Sequence, residues 1–216
     1  MEILVFSHTA GYRHESIEAG VAACAALGRR MGVRVVATED PQTFTASSLE
    51  RFAAVVFLNT SGDVFDERQC ADFAAYIRRG GGFVGVHAAA TTQTGSPFFT
   101  GLVGAVFARH PQIQRGRVTV ADPDHPATEH LDSVWMRTDE WYDFVALPPP
   151  RVRVLLRVDE SSYLGATMGP DHPLAWCQLY EGGRSFYTAM GHTVDSYDED
   201  AFLNHLWGGV AWAAAQ

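Results

Sequence analysis

The chain has no lysine: all 16 of its basic residues are arginine. That absence excludes a lysine Schiff base, lysine-bound pyridoxal phosphate and the P-loop lysine of nucleotide-binding enzymes. Cysteine is scarce too. Cys24, Cys70 and Cys177 are odd in number and far apart, and Cys24 and Cys70 fall on apolar faces of predicted helices. They read as reduced core residues rather than as a disulfide framework. No apolar run is long enough to span a bilayer, and the opening MEILVF is too short and too acidic for a signal peptide. Arginines never cluster beyond a pair and the net charge is −9, so neither nucleic acid nor an anionic membrane is expected as a partner. The expectation is a cytoplasmic protein that handles a small molecule, with residues 1–216 as one domain large enough for a sizeable core.

What is present is an alternation of apolar runs with amphipathic segments. Glu2–Phe6, Val33–Thr38, Ala54–Leu58 and Phe83–Val86 read as buried strands. Between them lie a helix from a Ser16 cap to about Arg30, a short helix near Ser47–Phe52 capped by Ser47 or Ser48, and a helix over Asp66–Arg79. This βαβαβαβ order predicts an α/β fold with a flavodoxin-like, doubly wound, mostly parallel sheet. Phe98–Phe107 reads as an apolar helix ending near His110. Arg115–Val120 and Arg151–Val158 read as further strands, and Asp122–His130 as a turn-rich loop. His172–Tyr180 and Arg184–Met190 look like a hairpin turning at Glu181-Gly182-Gly183, which predicts an antiparallel C-terminal extension before a closing helix over Asp198–Ala214.

The centre of the pattern is Gly80–Ala90, GGGFVGVHAAA. Its glycines satisfy G-x-G-x-x-G, but they close a helix and enter a strand, the reverse of a dinucleotide-binding turn. A strand ending in one reactive side chain among small neighbours has the form of a nucleophile elbow. Here the elbow holds His87, and imidazole serves as base, acid or metal ligand rather than as the carrier of a stable acyl group.

Other histidines sit where strands end. His14 follows the first strand and His192 the last, so a parallel sheet would bring His14, His87 and His192 to one rim; His110 ends a predicted helix. His125, His130, His172 and His205 read as turn, cap or surface residues. The segment Asp139–Phe144, DEWYDF, adds Glu140, Trp141 and Tyr142. Aromatic faces beside imidazoles and carboxylates suit a sugar, whose C–H face stacks on rings while its hydroxyls take hydrogen bonds. On this reading His87, His192 and Glu140 are the catalytic candidates, with Arg13, His14, Asn59, His110, Trp141 and Tyr142 around the substrate. No H-E-x-x-H, C-x-x-C or helical histidine pair is present, so a divalent metal such as zinc would need ligands gathered by the fold, with His14, His87 and His192 the candidates. A glycosidase pairing Glu140 with Asp63 or Asp195 is a further arrangement.

Together GYRHES, GGGFVGVHAA, DEWYDF, HPLAW and FYTAMGH, in that order from about Met1 to Trp212, resemble the ThuA-like, trehalose-utilisation family. The resemblance implies a class I glutamine amidotransferase-like fold, in which a cysteine occupies the elbow and a histidine follows a late strand. His87 stands at that elbow and His192 near the late histidine, a departure that argues against hydrolysis of glutamine. The resemblance further implies sugar catabolism, with a partner dehydrogenase oxidising a hydroxyl to a ketone and this chain acting on the resulting 3-keto-glycoside. The partners expected are therefore a sugar substrate, a sugar dehydrogenase in the same route, and further copies of the chain. A carbohydrate-binding or regulatory module without turnover, and an amidotransferase-like hydrolase with a displaced nucleophile, are the alternatives.

Overall fold

The computed structural model describes residues 1–215. Strand β1 (Glu2–Phe6) leads to helix α1 (Ile17–Met31), β2 (Arg34–Thr38), the one-turn α2 (Ala46–Leu49), β3 (Phe52–Leu58), α3 (Glu67–Arg78) and β4 (Gly82–Val86). The second half runs through α4 (Pro97–Val103), β5 (Phe107–Arg109), β6 (Gln114–Val120), β7 (Val134–Asp139), β8 (Asp143–Phe144), β9 (Arg153–Asp159), β10 (His172–Tyr180), β11 (Gly183–Thr188) and α5 (Asp200–Ala214).

Nine strands form one sheet in the order β2-β1-β3-β4-β11-β10-β9-β6-β7, with β5 and β8 paired apart from it. Neighbours from β2 through β11 are parallel, and the remaining pairs are antiparallel. The parallel half is covered on both faces, which is why β4 is buried at every position. A cluster of Phe6, Phe44, Phe57, Phe65, Phe73 and Phe99 fills the layer on one side. On the other side α5 lies so close to β11 that a Cβ on Gly209 would sit 2.4 Å from the Phe186 ring.

Several local expectations change. Ser16 is helical and makes no cap; its hydroxyl donates to the Gly191 carbonyl, so α1 begins without a side-chain cap and Ser16 ties the loop to the far strand. Thr45, not Ser47 or Ser48, caps α2. The helix expected to reach Phe107 stops at Val103 because Gly104 takes φ 92°, and His110 therefore follows a strand rather than a helix. The hairpin of β10 and β11 turns at Glu181 and Gly182, as its sequence indicates. However, β11 is inserted beside β4 and joins the parallel block, while β6, β7, β9 and β10 supply the antiparallel half. His125, His172 and His205 are buried rather than superficial, each spending ring nitrogens on hydrogen bonds within the core. Among the described residues no helix is long and apolar enough to cross a membrane.

Candidate functional site

Four chain segments meet at the carboxyl ends of the parallel strands, as open α/β sheets favour. The loop after β1 carries His14, β4 delivers His87, β7 ends at Asp139-Glu140, and β11 leads through Ala189–Gly191 to His192. His87 has φ 46°, a left-handed conformation that a non-glycine residue holds only when its surroundings impose it. Small Ala88, Ala89 and Ala90 follow in a short 3-10 turn. The elbow is present, with an imidazole at its tip.

The side chains converge closely. His87 Nε2 lies 3.2 Å from His192 Nδ1 and 3.3 Å from Glu140 Oε2, and His192 Nδ1 is 3.2 Å from the same Glu140 oxygen. The His14 ring stands edge-on to both, with centroids 4.9 Å from His87 and 5.0 Å from His192. The other Glu140 oxygen meets His110 Nδ1 at 3.1 Å. His87 is fully buried, and His14 and Glu140 are nearly so. Tyr142 stacks on His87 with ring centroids 4.0 Å apart. A cavity of about 520 Å3 opens over the group, lined by Tyr12, His14, His110, Glu140, Tyr142 and His192 among others.

The electrostatics follow from this crowding. Burial, reinforced by the nearby imidazoles of His87 and His192, pushes His14 down to about 3, so it is neutral at physiological pH. Burial acts to raise the Glu140 carboxyl, but hydrogen bonds and charge from His192 and His87 outweigh it and hold the group well below the usual carboxylate range. For His192 burial acts downward, and the Glu140 carboxylate prevails and raises it. The orientation of the cluster is set from behind. Asp139 is fully buried, is paired with Arg137 at 3.0 Å, and accepts the backbone N–H groups of Glu140, Gly191 and His192.

Of the residues expected at the site, His14, His87, His110, Glu140, Tyr142 and His192 are brought together. Three are not. Trp141 is fully buried, donates its indole N–H to the Gln114 carbonyl and packs on Gly116, so it is core rather than a stacking platform. Arg13 reaches outward to pair with Glu39 at 2.8 Å. Asn59 is buried behind the elbow, where it donates to Ser16 Oγ and the Gly191 carbonyl and accepts from the Ala88 N–H. It holds three of the converging segments together without lining the cavity. Neither Asp63 nor Asp195 lines the cavity with Glu140. Sequence reasoning missed Tyr12, Ser61, Thr91 and Phe107 in the wall, and the Arg137–Asp139 pair behind it. Tyr12 sits in the same polar loop as His14, and that loop was the available signal.

His14, His87, Glu140 and His192 each offer a ligand atom within 4.8 Å of the others, a set able to hold a metal ion. Asp143, Glu160 and His172 form a second such group. None of the three thiols lines the cavity, and burial raises Cys24 to about 12 and Cys177 to about 11.

A doubly wound sheet with a strained residue at the elbow after its central strand, and a late histidine beside it, defines a class I glutamine amidotransferase-like protein. In keeping with that class, the structure of a GMP synthase subunit from Thermoplasma acidophilum superposes with a TM-score of 0.53 over 97% of this chain and 95% of the other, at 15% identity. More particularly, the chain belongs to the trehalose-utilisation (ThuA) family, whose model matches residues 2–213. It is similar to a ThuA-like protein of Bacteroides uniformis, with 25% identity and a TM-score of 0.85 over 99% of this chain and 91% of that one. A ThuA-like protein of Parabacteroides merdae has 19% identity and a TM-score of 0.80 over 100% and 90%. A search of curated proteins finds no match.

Proposed function

We propose that this chain is an enzyme of sugar catabolism that processes an oxidised, 3-keto-glycoside of trehalose type by acid–base chemistry. The observation that carries the reading is the gathering of four imidazoles and one carboxylate at the strand ends beneath a cavity of about 520 Å3, since binding a neutral sugar requires no such concentration of titratable groups. Family membership supplies the substrate class.

A ketone at C3 acidifies the C2–H bond. Removal of that proton gives an enolate, and its electron pair forms the C1–C2 double bond as the C1–O bond to the aglycone breaks. The departing oxygen takes a proton, so the step balances as a β-elimination. His110 is 42% exposed at the cavity mouth and hydrogen-bonded to Glu140, which suits it to exchange a proton with an entering sugar. The Tyr142 face offers a surface for the C–H side of the ring. The buried end, formed by His14, His87, Glu140 and His192, provides the electrostatic stabilisation an enolate oxygen needs. A divalent metal held by that end would supply Lewis-acid polarisation of the ketone.

The test is a proton NMR time course in deuterium oxide with 3-keto-trehalose, and with trehalose beside it. The reading expects deuterium at C2 and consumption of the keto-sugar alone, both abolished by His87→Ala. Cleavage of trehalose itself, or an inert keto-sugar whose signals merely broaden, would overturn it, the latter in favour of a binding module.

A further inference from the structure

We propose that His14, His87, Glu140 and His192 are the ligands of a single divalent metal ion of the zinc class, with Glu140 bound through one oxygen. The site stands apart from the keto-sugar reading, because it follows from the contacts alone.

The first argument is the arrangement of lone pairs. His87 Nδ1 is 2.6 Å from the Ala189 carbonyl, so that nitrogen carries hydrogen and donates, and Nε2 presents a lone pair to the cluster. Facing it at 3.3 Å is Glu140 Oε2, an acceptor. Both also face His192 Nδ1, at 3.2 Å each, and one N–H cannot be directed well at two acceptors. Two acceptors held this close need a cation between them. No guanidinium supplies it, since the ion-pair partners of Glu140 are His87, His110 and His192.

The second argument is distance. A tetrahedral zinc ion with ligands at about 2.0 Å separates neighbouring ligand atoms by about 3.3 Å. The triangle of His87 Nε2, His192 Nδ1 and Glu140 Oε2 has edges of 3.3, 3.2 and 3.2 Å, the size of one face of that tetrahedron. The third is an orphan. His14 Nδ1 is buried without a hydrogen-bond partner, on a ring set edge-on to both other imidazoles. A buried polar atom without a partner is costly, and a metal bond to the ring would explain why this histidine is tolerated there.

The surroundings fit as well. The Ala189 carbonyl fixes the His87 tautomer, and His110 occupies the second Glu140 oxygen at 3.1 Å, as outer partners of metal ligands do. The other acidic cluster is a useful contrast. There Arg109 already supplies the cation to Asp143 at 3.0 Å, and Glu160 accepts from Met168 N, Gly169 N and His172.

The experiment uses the purified full chain. Elemental analysis of the protein as isolated should find up to one equivalent of a divalent transition metal. After chelation, cobalt(II) should restore one equivalent with the visible ligand-field absorption of a four-coordinate ion, and raise the melting temperature. His14→Ala and Glu140→Gln should each weaken cobalt binding by more than about 100-fold, beyond the range typical of outer-shell partners, while His110→Ala retains one equivalent. Circular dichroism identifies any variant that has not folded, and the wild-type titration decides in that case. Failure of the wild-type chain to take up cobalt at one equivalent overturns the proposal, as does wild-type affinity in folded His14→Ala and Glu140→Gln. A metal-loaded chain inert toward 3-keto-trehalose overturns the substrate reading alone; a chain that turns over the sugar yet takes up no cobalt overturns the metal site alone.

Discussion

Asp139 holds His192 by its backbone: its Oδ1 accepts the His192 N–H at 3.1 Å and the Glu140 N–H at 2.9 Å. One buried carboxylate thus fixes the spacing between two members of the cluster that lie on different strands. Its charge is balanced by Arg137, only 2% exposed and 3.0 Å away. Asp139→Asn should leave Arg137 as an uncompensated buried cation, and breaking such a pair costs about 3–5 kcal/mol. A urea midpoint lowered accordingly, together with loss of metal uptake in the folded fraction, is the expected result.

Trp141 gives a second prediction, because it lies in the sugar-like DEWYDF run yet is fully buried. Trp141→Phe should lower stability by about 1–3 kcal/mol through the void left beside Gly116 and the lost bond to Gln114. Ligand binding measured by NMR titration should be unchanged. Tyr142→Ala should do the opposite and weaken the ligand.

A third concerns acid stability. Burial holds His205 down to about 3, with Nδ1–H donating to the Ala127 carbonyl and Nε2 accepting from Thr188. An unfolded chain takes up that proton near the ordinary value of 6.5, so between the two values the unfolded state binds more protons and stability falls as pH falls. This group alone should contribute a slope of about 1.4 kcal/mol per pH unit. His205→Gln should flatten the dependence of the urea midpoint on pH between roughly 6 and 4.

The thiols give a fourth. Because burial raises Cys24 and Cys177 to about 12 and about 11, little thiolate exists at neutral pH. Iodoacetamide should leave both unlabelled by mass spectrometry in the native chain, with turnover unaffected. Labelling of Cys177 with loss of turnover would instead revive a displaced-nucleophile hydrolase.

The parallel half of the fold was legible because its strands are short apolar runs between clear helices, and the burial of β4 on both faces produces just such a run. The same runs placed His14, His87 and His192 at strand ends, and a parallel sheet then forces them to one rim. The antiparallel half was harder to read. A chain pattern gives strand positions but not that β11 inserts between β4 and β10. Trp141 and Tyr142 are adjacent in sequence yet one faces the core and the other the cavity, a choice that the irregular stretch between β7 and β8 makes and no periodicity encodes. Arg13 and His14 part in the same way, and only packing shows which of the two turns inward.

The place of β11 also bears on how the protein is made. The last strand in the sequence is fifth of nine in the sheet, between partners that leave the ribosome before it. Until it emerges, β4 and β10 are unpaired edges along their facing sides, open to pairing with other chains. Closing the sheet is therefore a long-range event, of the kind that slows folding. His192 lies just beyond that strand, so the cluster is completed only with the final segment of the nascent chain. Conditions that delay this step should favour aggregation over partly active intermediates.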